Sequence, residues 1–194
     1  SDVRCVGTKD IPREPVSACA TIATPKNTLK MKNQVFKKQS RINAPVDDVF
    51  NWHARPGAIE RLSPPWDPLD IISRTGGIET GAEVFMNIKA GPLPIRWHAR
   101  HVAYQKNKLF QDIQVSGPFA KWTHTHCFQK IDESACILED RIDYALFFHP
   151  ISTALMGKFV HQKLERIFTY RHDTLIADIA DHLPRNHSGL LRIL

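Results

Sequence analysis

The fold is decided by residues 109–130, which read LFQDIQVSGPFAKWTHTHCFQK. Gly117-Pro118 is a turn signal, and the runs on either side of it, Leu109–Ser116 and Lys121–Lys130, have the character of β-strands. So short a connection joins neighbouring strands as an antiparallel hairpin. Successive residues of a strand face opposite sides of the sheet. One face of the second strand therefore carries Trp122, His124, His126 and Phe128, and we predict that this face points inward.

Further strands and two short helices flank this hairpin. Strands are predicted at 34–42, 69–74, 83–89, 95–104 and 136–147, because these runs lie between clusters of turn-forming residues. Pro45 suits the first turn of a helix, and Pro56-Gly57 breaks that helix. A second short helix is predicted at 58–62, ending before Pro64-Pro65. Short connections between the later strands predict antiparallel pairing throughout.

The C-terminal part predicts one long amphipathic helix over about 151–182. Its apolar positions recur at helical spacing; they are Leu155, Phe159, Leu164, Ile167, Phe168, Leu175 and Ile179. Its other sides carry Lys158, Lys163, Arg166 and Arg171, and Pro184 follows its end. The element order predicts an α+β fold in which a curved antiparallel sheet wraps around this helix. We expect one domain over 33–183, a flexible N-terminal extension over 1–32 and a C-terminal tail over 184–194.

Composition excludes several classes of function. The chain of 194 residues has a 42% hydrophobic fraction, and no apolar run approaches the roughly 20 residues that span a bilayer. The formal net charge is +6, but the basic residues are scattered, so we expect no nucleic-acid partner. The four cysteines match no zinc-module spacing. No signal peptide is evident. We expect a cytoplasmic location, or an organelle interior if a targeting segment was removed.

Strand parity and hairpin register together predict a polar row across four strands. In 136–147 the face that carries Leu138, Ile142 and Tyr144 also carries one acid, Asp140, which should therefore point inward. If the Gly117-Pro118 turn pairs Ser116 with Trp122, Asp112 lies opposite His126. The neighbouring turns then pair His126 with Asp140, His101 with Asp112 and Trp97 with Ser116. Opposed side chains are about 5 Å apart at Cβ, so the predicted row runs His101, Asp112, His126, Asp140.

Three interpretations of this row remain open. It can be a buried polar ladder that fixes the sheet. It can be the polar end of a cavity, anchoring a ligand's hydroxyl or carbonyl group. It can also be a general acid/base site, with His126 or His124 as the imidazole and Asp112 or Asp140 as the carboxylate. A metal site is not expected, because His124-x-His126 alone is weak evidence for one. We expect no cofactor.

Longer motifs add a family resemblance to this reading. Residues 110–128 combine Phe110-x-Asp112-x-Gln114 with Gly117-Pro118-Phe119 and Trp122-x-His124-x-His126-x-Phe128. With the segments 56–66 and 138–144, this pattern resembles a branch of the START and birch-pollen-allergen-like helix-grip superfamily. This superfamily is also described as polyketide cyclase/dehydrase and lipid-transport proteins, or SRPBCC. The branch occurs alone or fused to epimerase-like domains. The resemblance implies a helix-grip fold with an internal cavity for a hydrophobic ligand.

Parity and resemblance together give the predicted ligand-binding residues. They are His101, Asp112, Gln114, Trp122, His124, His126, Asp140, Tyr144, Trp97, Leu155 and Phe159, with Phe128 and Ile142 as further cavity lining. The first hypothesis is a binding or carrier domain for a small hydrophobic or aromatic molecule such as a lipid, polyketide or quinone. The second is a cyclase or dehydratase-type enzyme in the same cavity. The third is an interaction domain whose cavity is vestigial. A fusion or partnership with an epimerase-like protein is also expected.

Overall fold

A computed structural model of the chain describes residues 33–90, 93–147 and 150–182. The predicted extension over 1–32 and the tail over 184–194 lie outside these residues, so the domain boundaries stay predictions. The elements in chain order are β1 (Gln34–Ile42), α1 (Val46–Ala54), α2 (Ala58–Arg61), β2 (Asp70–Thr75), β3 (Glu83–Ala90), β4 (Leu93–Gln105), β5 (Leu109–Ser116), β6 (Lys121–Lys130), β7 (Cys136–Ala145) and α3 (Pro150–His182).

The seven strands form one antiparallel sheet in the order β1-β7-β6-β5-β4-β3-β2. Strands β2 to β7 pair with their sequence neighbours, as their short connections predict, and β1 joins the free side of β7. The predicted α+β architecture, with two short helices after the first strand and one long final helix, is confirmed. Within the described residues, no helix is both long and apolar enough to cross a membrane.

Helix α3 packs against the sheet along the apolar stripe predicted from its sequence. Leu164, Phe168, Leu175 and Ile179 are all buried. Phe159 differs, with 61% of its surface exposed. The side chain of Leu155 lies outside the described residues. At Gly157 the helix runs so close to β1 that an added Cβ would lie 2.8 Å from the amide oxygen of Gln34, so no larger residue fits there unless that side chain moves.

The hairpin registers are partly as predicted. His126 pairs with Asp140 and His101 with Asp112, which confirms two of the predicted pairs. The β5–β6 register is wrong by two residues, because Asp112 pairs with His124 and Phe110 with His126. Each β5 residue lies opposite a β6 residue two positions nearer to the turn than predicted, and the ladder ends at the pair Ile113–Thr123. The Gln114 amide nitrogen donates to the Phe119 carbonyl at 2.7 Å, and the Phe119 N–H donates back to Gln114 Oε1 at 3.2 Å. A side chain thus replaces ladder hydrogen bonds at the end of the hairpin.

The predicted pairing of Trp97 with Ser116 is also wrong. His98 stands opposite Ser116, because register shifts interrupt the β4–β5 ladder between His98 and Ala99 and again between His101 and Ala103. Each shift adds a residue to one strand only, which bends the sheet and increases its twist. Neither turn length nor the pattern of hydrophobic residues indicates such irregularities, so the sequence does not predict them.

Candidate functional site

A cavity of about 410 Å³ lies between the sheet, the α1–α2 corner and α3. Six of the predicted ligand-binding residues line it, namely Trp97, His101, Asp112, Trp122, His124 and His126. Most of its remaining wall is aliphatic, including Ile59, Leu62, Ile78, Met86 and Ile88. Its volume lies within the range of about 300–1,000 Å³ that is usual for small-molecule sites. Ligand contact by any of these residues stays a prediction.

The other predicted site residues lie elsewhere. Phe128, Ile142 and Tyr144 are buried in the packed core rather than at the cavity wall. Tyr144 and Ile142 sit on β7 beside β1, where side chains from α3 cover them. Gln114 is used in the β5–β6 turn, and Phe159 points to the surface. Parity placed the core residues correctly on the inner face but could not tell which of them the helix would cover.

Asp140 is the centre of the polar cluster behind the cavity wall. It is only 3% exposed and meets three imidazoles from two elements. Its Oδ1 lies 3.0 Å from His124 Nε2 and 2.6 Å from His126 Nδ1, and its Oδ2 accepts from His172 Nε2 at 2.8 Å. Nδ1 of His172 in turn lies 2.8 Å from the Ser40 hydroxyl. Burial would raise the pKa of Asp140, but these imidazoles hold it well below its usual value.

His124 is the imidazole that lies between two carboxylates. Its Nε2 faces Asp140, and its Nδ1 lies 3.4 Å from Oδ2 of Asp112. Burial alone would lower the pKa of His124, but the two carboxylates outweigh burial and raise it to about 9. His124 is therefore an imidazolium at neutral pH. In return it holds the pKa of Asp112 below the usual value, against the opposing effect of burial.

His126 does not have the predicted role. The predicted row places it between Asp112 and Asp140, a position in which both carboxylates would raise its pKa. It does reach Asp140, but the two-residue register shift gives Asp112 to His124 instead. Burial, followed by the charge on the neighbouring His124, lowers the pKa of His126 to about 3. The two rings are only 4.0 Å apart between centroids, so the cluster favours a single imidazolium.

Two imidazoles at the cavity wall have buried ring nitrogens without an aligned hydrogen-bond partner in the described part of the chain. Nδ1 of His126 is close to Asp140 but out of line with it, and Nδ1 of His101 has no such partner among the described residues. Burial also lowers the pKa of His101. Both rings are therefore neutral near pH 7, and each offers one donor and one acceptor nitrogen. Buried polar atoms of this kind are costly unless a ligand or water completes them.

The sequence analysis missed three residues of this region. His53 of α1 lines the cavity and donates from Nδ1 to the Val49 carbonyl at 2.8 Å, and burial lowers its pKa to about 4. His172 of α3 is not among the predicted site residues, yet it contacts Asp140. Arg171 was assigned to the outer sides of α3 but lines the cavity. In a helix, positions 171 and 172 lie on the same face as Phe168 and Leu175. The sequence therefore contains a signal that places both residues on the side of α3 that faces the sheet.

The same cluster contains a set of potential metal donors. Asp112, His124 and His126 each offer an atom within 4.8 Å of the others. Both ring nitrogens of His124, however, already face carboxylates, and its raised pKa keeps both of them protonated. A metal would have to displace that proton, because only a neutral imidazole ligates. The expectation of no metal stays a prediction.

Comparison with known proteins identifies relatives of this fold. The family model for polyketide cyclase/dehydrase and lipid-transport proteins matches residues 42–168. No curated protein sequence matches significantly. An aromatase/cyclase from a Streptomyces species superposes with a TM-score of 0.63 at 11% identity, over 79% of this chain and 98% of that one. Norcoclaurine synthase from Thalictrum flavum gives 0.61 at 14% identity, over 80% and 99%.

A third solved structure is closer in sequence. A nucleoside-diphosphate sugar epimerase from Corynebacterium glutamicum is 26% identical, with a TM-score of 0.55. The match covers 75% of this chain but only 29% of the epimerase chain. At 11% and 14% identity, the aromatase/cyclase and norcoclaurine synthase show only that this chain shares their fold. The partial match agrees with the resemblance to domains that occur within epimerase-like chains.

Proposed function

Because the chain belongs to the polyketide cyclase/dehydrase and lipid-transport family, we propose that it binds a small hydrophobic or aromatic molecule in its cavity. The apolar wall formed by residues such as Met86, Ile88 and Trp97 would hold the body of the ligand. His101 and His126 would form hydrogen bonds to its hydroxyl or carbonyl groups. The compartment, cytoplasm or organelle interior, and the absence of a nucleic-acid partner stay predictions.

One observation carries this proposal. The cavity combines an apolar wall with buried, neutral imidazoles whose Nδ1 atoms lack aligned partners among the described residues. A structural ladder would satisfy its own polar atoms, as Asp140 and His172 do. The rings of His101 and His126 both line the cavity, so a ligand there would lie against two neutral imidazoles. The same observation disfavours the vestigial-cavity hypothesis.

A cyclase or dehydratase-type reaction is the second candidate. It is favoured by the contact of His126 with Asp140 at the cavity wall, and by the enzymes that share the fold. General acid/base catalysis works best with a pKa near the working pH. The pKa values of His124 and His126, about 9 and about 3, lie on either side of that range. Neutral His126 would be a weak base, so binding is the function that the geometry supports better.

The test fills the cavity and measures the binding of a neutral fluorescent probe. Ala99 of β4 is buried and lines the cavity, so Ala99→Phe places a phenyl ring inside it. Val102 lies on the same strand, is exposed and does not line the cavity, so Val102→Phe is the matched control. N-phenylnaphthylamine should bind the wild type and Val102→Phe equally and should lose most of its affinity for Ala99→Phe. Equal binding to all three folded proteins would remove the cavity as the site.

A further inference from the structure

Three arginines line the cavity, and they differ in their partners. Arg55 pairs with Asp178 at 2.7 Å, and Arg74 pairs with Glu60 at 3.0 Å. Arg171 of α3 makes no ion pair with any residue that the structure describes. Two of the three guanidinium groups thus have a carboxylate partner within the protein, whereas Arg171 has none among the described residues.

The surroundings of Arg171 make this cation unusual. Its Nε is buried and has no hydrogen-bond partner in the described part of the chain. Its guanidinium carbon lies 4.9 Å from the centre of the Phe168 ring, which supports one of its faces. An arginine stays charged in proteins, so the group cannot relieve its burial by losing a proton. An unpaired buried donor destabilises the protein by more than an ordinary hydrogen bond stabilises it.

The chemistry of the guanidinium selects the missing partner. Its planar fork of N–H donors matches the oxygen pair of a carboxylate, sulfonate or phosphate. Asp112 and Asp140 are near enough to favour its charge, but neither forms an ion pair with it, and both already contact His124. An acidic group that arrives in the cavity with a ligand would supply this partner.

We propose that Arg171 binds an anionic oxygen group of the ligand, so that the cavity takes a hydrophobic acid rather than a neutral molecule. The apolar body would lie against the aliphatic wall, with its charged end at α3. This inference rests on the proposed function and adds the chemical class of the ligand. It assigns a specificity role to a residue outside the His/Asp cluster.

The test uses two fluorescent probes that differ by one charge. Anilinonaphthalene sulfonate carries a sulfonate on the skeleton of neutral N-phenylnaphthylamine, so the ratio of their dissociation constants measures anion recognition. The wild type should prefer the sulfonate by roughly ten- to hundredfold, the range of a charge-assisted hydrogen bond. Arg171→Met should abolish this preference while it keeps the affinity for the neutral probe. Arg171→Lys, which retains the charge, should keep part of it.

A second arginine on the same helix provides the control. Arg166 stacks on Trp66 with its guanidinium carbon 4.6 Å from the ring centre, is exposed and does not line the cavity. Arg166→Met removes the same net charge and should leave the preference intact. If both probes bind equally well to the wild type, Arg171 is only a distant counter-ion of the carboxylates, and the inference is wrong while the proposed function stands. If neither probe binds in the cavity, both fall.

Discussion

Replacing Asp112 by asparagine should lower the pKa of His124 from about 9 to below about 8. Burial alone would lower this pKa below 6.5, so Asp112 and Asp140 together must raise it by more than the whole difference between 6.5 and about 9. If the two carboxylates contribute equally, each accounts for more than about one pKa unit, or on the order of 1–2 kcal/mol. The substitution keeps the shape of the side chain but removes its charge.

The assay is titration of the imidazole ¹⁵N signals by NMR. Asp140→Asn should lower the pKa of His124 at least as far, because Asp140 is closer to His124 than Asp112 is. Glu83→Gln is the matched control, since Glu83 lies 3.4 Å from a different imidazole, that of His98. A His124 signal that titrates unchanged in both aspartate variants would refute the arrangement of one imidazolium between two carboxylates.

Three further predictions follow from the same geometry. The free energy of unfolding should be greatest near pH 6.5. Above pH 6.5, His124 keeps its proton in the folded protein up to about pH 9, whereas the unfolded chain releases it, so the free energy of unfolding falls by up to about 3 kcal/mol as pH rises. Below pH 6.5, His53 stays neutral in the folded protein down to about pH 4, whereas the unfolded chain takes up a proton, so the free energy of unfolding also falls as pH falls. Urea unfolding at a series of pH values checks this, and a profile that is flat from pH 6.5 to 9 contradicts it. Phe168→Ala should cost about 3–5 kcal/mol, whereas Phe159→Ala should change stability by about 0.5 kcal/mol or less, because Phe168 is buried and Phe159 exposed. Equal losses in denaturant unfolding would show that α3 packs on a different face. Zn²⁺ added at neutral pH should leave the melting temperature unchanged, because protonated His124 cannot ligate; a saturable rise that is lost in Asp112→Asn would establish a metal site.

The fold was largely predictable because each element depends on local signals. Strand β6 and its inward face follow from the alternation of aromatic and hydroxyl residues, and α3 follows from its helical spacing. The polar cluster was predictable only in part. Parity put Asp112, His124, His126 and Asp140 on one face, since a slip of two residues preserves parity. It could not fix the partner of Asp112 across the β5–β6 hairpin, where the Gln114 side chain bonds to the Phe119 backbone beyond the end of the ladder.

Contributions from distant elements were the least predictable. His53 and Arg171 reach the cavity only because α1 and α3 pack over the sheet at a particular angle. In the sequence, Arg171 looked like one of several cations on a solvated face. Long-range packing also decided which inward residues line the cavity and which are covered. Tyr144, for example, lies under α3 and β1, where its hydroxyl donates to Gln34 at 3.0 Å.

The most direct test of cavity binding is the measurement of intermolecular nuclear Overhauser effects with bound N-phenylnaphthylamine. Trp97 and Trp122 lie edge to face at the cavity wall, 5.0 Å apart between ring centroids, and should both show contacts to the probe, as should the ring of His126. Exposed aromatics outside the cavity, such as Trp66 and Phe159, should show none. Contacts confined to those exposed rings, with the two cavity indoles unaffected, would contradict the account.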